Sequence, residues 1–160
     1  MSARRIVAGL LLMLAAASSR SAGLPRPFDA ATPAALAQHY AGKPYVLAFW
    51  SLECGHCQDE LRLFARRLKA DPGFPLALVA ADTPELAPAV AARLAELGLD
   101  PAAHWVFADP MPERLRFAVD RRWRGELPRA YLFDAAHKSR AVSGTLSEPL
   151  LDAWAAEQLK

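Results

Sequence analysis

This chain of 160 residues has almost no cysteine: Cys54 and Cys57 are the only two. So small a number argues against a disulfide-stapled scaffold, which needs several bridges. It argues equally against a structural zinc, which takes four Cys or His ligands, often as two pairs. His39, His104 and His137 have no spacing relation to the cysteines or to one another. Excess charge is lacking too. The formal net charge is +2, too little to grip a polyanion, so no nucleic-acid partner is expected. Long apolar runs are missing apart from one near the start, and no internal repeat or low-complexity tract follows it. Hydrophobic residues make up 53% and charged ones 22%. That composition folds, and the length suits a single monomeric domain with its own core.

Residues 1–22 read as a leader. Arg4 and Arg5 precede an apolar run from Ile6 to Ala17, and small residues follow. This is the order of a secretory signal peptide. The run is about a dozen residues, where a spanning helix needs about 20, so a retained signal anchor is the lesser alternative. Either way the domain at 23–160 is exported, to the periplasm, where disulfides form and persist.

Past the leader, helix and strand signals alternate. "TPAALAQHYAG" predicts a helix with Thr32 as N-cap, Pro33 in its first turn and Gly42 beyond its end. Residues 44–51 and 74–82 are short apolar runs, the profile of strands buried on both faces. A helix is expected from Cys54 to Ala70, with Leu61, Phe64, Ala65 and Leu68 on one face. A second capped helix follows at 83–98, irregular at Pro88. A third strand is expected at 104–109 and a helix at 112–123. Strands at 130–134 and 140–144 form a hairpin, and a closing helix is capped by Ser147. The alternation predicts an α/β fold: a central mixed sheet flanked by helices on both faces.

Cys54 therefore falls where a buried strand ends and a helix begins. The first amides of the helix lack intrahelical partners there and the macrodipole is positive, so a thiolate is favoured. His56 adds positive charge or a donor. Cys57, one turn on, is near enough to attack a mixed disulfide and release the partner. The pair can exchange electrons, bind Cu(I) through soft thiolates, or merely staple a very short loop.

The stretch "VLAFWSLECGHCQDEL" resembles the active-site strand and helix of the thioredoxin fold, in the TlpA/ResA-like branch of exported thioredoxins. Phe49, Trp50, Ser51, Cys54, Cys57 and Glu60 answer to that branch's pattern, and Gly125, Pro128, Asp134 and Gly144 answer to a second segment. The extra helix and strand before that segment also fit the branch. The resemblance implies a thiol:disulfide oxidoreductase with Cys54 attacking and Cys57 resolving. Pro128, through a cis peptide bond, would shape a substrate groove with Leu127 and Trp50. No cofactor and no metal is expected beyond the dithiol. Partners would be client protein thiols and disulfides and a membrane thiol electron donor, with a reducing role such as cytochrome c maturation. A Cu(I) delivery module and a non-catalytic interaction domain are the rival readings.

The departures from the branch concern tuning. Glu53 replaces an aromatic residue before Cys54, and its charge either opposes the thiolate or points to solvent and selects a basic partner. His56 replaces proline and gives CGHC, as in protein disulfide isomerases, which points toward a less reducing poise. Ala48 stands where cytosolic thioredoxins keep a buried aspartate, so the base for Cys57 is open; Glu60 is a candidate, or a surface residue. Arg62 replaces a helix-kinking proline. Arg121, Arg122 and Arg124 form either a solvated helix end or a flank of the groove that attracts an acidic partner.

Overall fold

Among the described residues, six strands form one sheet in the order β1-β4-β3-β2-β5-β6. The computed structural model describes residues 23–160, so the leader expected at 1–22 lies outside the described residues. In chain order the elements are β1 (Arg26–Phe28), α1 (Thr32–His39), β2 (Tyr45–Trp50), α2 (Gly55–Ala70) and β3 (Leu76–Ala80). There follow α3 (Ala87–Glu96), β4 (Trp105–Phe107), α4 (Pro112–Val119), β5 (Arg129–Phe133), β6 (Ser139–Ser143) and α5 (Glu148–Gln158). Strands β1, β4, β3 and β2 are mutually parallel, while β5 runs antiparallel to β2 and β6 to β5. The sheet is mixed, as the hairpin at the end of the chain requires.

Every residue of β2 and β3 is buried, because both faces of these central strands are covered. Side chains alternate across the sheet. Val46, Ala48, Trp50, Leu76, Leu78 and Ala80 pack with Cys57, Leu61, Phe64, Val90, Leu94 and Leu151, from α2, α3 and α5. Tyr45, Leu47, Phe49, Ala77 and Val79 pack on the other side with Leu36 of α1 and Leu115 of α4. The extra strand, β4, lies between β3 and β1, and α4 follows it.

Local punctuation decides the edges. The 83–98 helix is indeed broken near Pro88: a 3-10 turn at Pro84–Leu86 precedes α3. Ser147 caps α5, its hydroxyl accepting the Leu150 amide at 3.4 Å. Thr32 does not cap α1. Asp29 does the equivalent work, accepting the Ala31 amide at 3.0 Å and the Thr32 amide at 2.9 Å, while Thr32 lies inside the first turn. The helix expected to reach residue 123 stops at Val119. Asp120 turns to an extended conformation, and its carboxylate is claimed by the Arg122 amide and by Arg129. Trp123 then drops into the core, its ring centroid 4.5 Å from that of Phe49. Strand β1 is unforeseen. Three residues carry little periodic signal, and the strand exists because β4 offers it a parallel edge.

Candidate active site

The end of β2 delivers the cysteines. After Trp50 the chain turns, with the Cys54 amide bonding the Ser51 carbonyl at 3.3 Å. Cys54 is the N-cap of α2: its backbone is extended and its sulfur accepts the Cys57 amide at 3.2 Å. A sulfur held there receives one of the helix's unpaired donors and the positive end of its dipole. Cys54 and Cys57 are joined by a disulfide, with Cα atoms 5.3 Å apart. Cys54 is partly exposed, whereas Cys57 is 0% exposed and packs in the core with Trp50 and Leu61. One sulfur is thus open to a partner and the other shielded. Glu53 and His56 are both exposed.

Two carboxyl groups lie beneath this exposed face. Glu60, one turn after Cys57 and on its side of the helix, is 2% exposed and accepts the Leu146 amide at 2.9 Å. It is not a surface residue. Burial pushes its carboxyl up to about 7, against the opposing effect of the Leu146 hydrogen bond. Asp82, just after β3, is also buried, and its two oxygens accept the Leu52 amide at 3.3 and 3.1 Å. Burial raises its pKa, the Leu52 amide opposes that, and the nearby charge of Glu53 adds to it. Sequence reasoning passed over Asp82. The only signal was that the apolar run of β3 closes on an acid.

The proline segment reaches the same end of the sheet. The Leu127–Pro128 bond is cis. Arg129 pairs with Phe49 across the antiparallel β5 and β2, so Pro128 and Trp50 stand one step further along, where β2 hands over to the cysteine turn. Pro128 is buried and Leu127 half-buried, packed against both core clusters. Trp50 is 1% exposed, so it underlies this region from below and presents no surface of its own. Arg129 follows Pro128 and is 8% exposed. Its guanidinium donates to the Tyr131 hydroxyl at 3.1 Å, to Glu126 at 2.9 Å, to Asp120 at 3.1 Å and to the Ser143 hydroxyl. These bonds tie the segment before the proline to β5 and β6. This network too was missed; its trace in the sequence is one charge inside an apolar strand.

Among the described residues no three His, Cys, Asp or Glu side chains converge as a metal site would require. No helix among them is long and apolar enough to cross a membrane.

No protein-family model and no curated protein matches this sequence. Solved structures do match by shape. One is a secreted Mycobacterium tuberculosis disulfide oxidoreductase homologous to E. coli DsbE, 21% identical with a TM-score of 0.59, matching over 75% of this chain and 85% of that one. A thiol-disulfide isomerase from Corynebacterium glutamicum is 15% identical with a TM-score of 0.60, over 77% and 84%. A thioredoxin-family thiol:disulfide interchange protein from Chlorobium tepidum is 20% identical with a TM-score of 0.57, over 78% and 85%. The chain has the thioredoxin fold that these oxidoreductases share, and it carries a disulfide-bonded CxxC pair at the start of α2.

Proposed function

We propose that the protein is an exported thiol:disulfide oxidoreductase. In the reducing direction, the Cys54 thiolate attacks one sulfur of a client disulfide. The client S–S bond breaks, one client thiolate leaves and takes a proton, and a mixed disulfide forms. Cys57 loses its proton and attacks Cys54, releasing the second client thiol and closing the Cys54–Cys57 disulfide. Two electrons pass to the client. A membrane thiol carrier restores the dithiol, and the clients are specific exported proteins, such as an apocytochrome c awaiting haem. Glu60 is the candidate proton acceptor for Cys57, one turn away, and Leu127 and Pro128 border the groove that takes the client. The protein acts as a monomer in the periplasm.

The observation that carries this reading is the contrast between the two sulfurs: Cys54 is open at the helix cap and Cys57 is fully buried. Only a thiolate reacts, and a helix N-terminus favours it. Limiting iodoacetamide should therefore alkylate Cys54 first in reduced protein, and Cys57→Ser should accumulate mixed disulfides with exported proteins. Equal labelling of both thiols, with no trapped partners, would remove the basis for these roles.

A further inference from the structure

Phe117 is 57% exposed on α4, and the Arg121 guanidinium lies 4.8 Å from its ring centroid. Together with Glu113, Arg116, Trp123 and Arg124 they line a groove of about 280 Å³. The carboxylates of this region are already engaged. Glu113 pairs with Arg116 at 3.2 Å, and Asp120 and Glu126 pair with Arg129 at 3.1 and 2.9 Å. Asp109 accepts the Met111 amide at 2.8 Å. Among the described residues, the guanidiniums of Arg121 and Arg124 have no carboxylate partner, although the Arg124 amide donates to Glu126 at 3.1 Å.

Two lining residues of the groove touch the segment that leads to the proline. Trp123 packs at a tilt against Phe49 and donates from Nε1 to the Glu126 carbonyl at 3.0 Å. Arg116 lies so close to Gly125 that a Cβ there would sit 3.2 Å from its Cζ, and Gly125 has a φ of +101°. From Gly125 the chain runs through Glu126 and Leu127 to Pro128, beside the end of β2.

We propose that this groove is a docking surface for the client polypeptide, and that it takes an acidic, extended segment flanking the client's disulfide. The inference rests on the oxidoreductase reading and names the kind of client. Two unpaired guanidiniums offer planar forks that match carboxylates. The exposed Phe117 ring, under Arg121, gives an apolar contact in the same groove, a pairing of aromatic and Arg that suits an interface anchor. A lipid surface fits less well, because membrane-binding sites gather four to eight basic residues on one face, and here two free charges border a groove.

The test uses reduced protein and two disulfide-bonded peptides of equal length, one flanked by Asp and Glu, the other by Lys. At low ionic strength the acidic peptide should be reduced about tenfold faster, and the preference should shrink as salt screens it. Arg121→Glu with Arg124→Glu should reverse it. Equal rates for the two peptides in the wild type, at any salt, would overturn the proposal, as would a preference that survives charge reversal. Phosphatidylglycerol vesicles that bind the wild type and not the charge-reversed protein, with equal peptide rates, would assign the groove to lipid instead. Bis(2-hydroxyethyl) disulfide, which is neutral, separates the failures. A protein that exchanges with it but ignores peptide charge loses only the docking surface; one that exchanges with no disulfide loses the oxidoreductase reading as well.

Discussion

Asp82, at the end of β3, holds the Leu52 amide between its two carboxylate oxygens, at 3.3 and 3.1 Å, two residues before Cys54. The bond spans thirty positions of sequence and pins the turn that presents the exposed sulfur. Asp82→Ala leaves that half-buried amide without its acceptor, which costs about 1–3 kcal/mol. Urea unfolding of the oxidised protein should show a loss in this range. Exchange with dithiothreitol should slow as well, since the cysteine turn is no longer held. An unchanged unfolding midpoint and an unchanged rate would show that Asp82 positions nothing.

Glu60 gives a pH dependence whose sign follows from its burial. Its carboxyl ionises near 4.5 when free and at about 7 in the fold. Between those values the unfolded chain has released the proton and the folded one has kept it. Stability is therefore full below the unfolded value and falls as pH rises through the folded one, by about 3 kcal/mol in all. Glu60→Gln should flatten this decline, read as denaturant midpoints across the range. The same substitution should act on the redox pair. An ionised carboxylate one turn from Cys57 disfavours the thiolates and so favours the disulfide, making the pair more reducing. Removing it should raise the potential at alkaline pH and leave it nearly unmoved at acid pH. A shift equal at both ends would mean that the charge of Glu60 does not reach the sulfurs.

His56 pulls the other way. It is exposed between the cysteines at the helix N-terminus, where a positive charge or donor stabilises the thiolate and hence the reduced form. His56→Pro should make the pair more reducing by about 30 mV if about 1.4 kcal/mol of that stabilisation is lost. Equilibration with glutathione buffers, followed by alkylation, measures it. An unmoved potential would mean that the CGHC dipeptide does not set the poise here.

Arg129 is the residue whose loss should cost most outside the apolar core. Removing the guanidinium leaves Asp120, whose side chain is 13% exposed, with Arg122 alone and takes the cation from a half-exposed Glu126. Breaking such a pair from one side costs on the order of 3 kcal/mol. Asp120 is held below its ordinary value first by the Arg122 amide and then by the charges of Arg122 and Arg129. Its share of stability is present above the free value of 3.8 and is lost as pH falls through the folded one. Arg129→Met should destabilise strongly at neutral pH, and adding Asp120→Asn should restore part of the loss. If the two effects simply add, the pair is not coupled.

How much of this was legible in the chain follows from the reach of each signal. The cysteine pair at a strand-to-helix junction, the Ser147 cap, the break near Pro88 and the apolar runs of β2 and β3 are written within a few residues of where they act. So was the resemblance that placed Pro128. The Thr32 cap and the full length of α4 were misread because a neighbour won locally. Asp29 took the amides of α1, and the Asp120 carboxylate was taken by the Arg122 amide and Arg129.

By itself the sequence determined the element pattern, the mixed α/β sheet and the two sulfurs at the start of α2, because helix periodicity, capping and apolar runs are short-range physics. Only the tertiary structure decided that Glu60 is buried, that Asp82 reaches Leu52, that Arg129 gathers Asp120 and Glu126, and that β1 forms at all. Glu60 meets the Leu146 amide across 86 positions of chain, and Arg26 finds Trp105 across the sheet edge. A carboxyl group has no fixed burial in the unfolded chain. It acquires one when segments far apart in sequence close over it, and its chemistry changes at that moment.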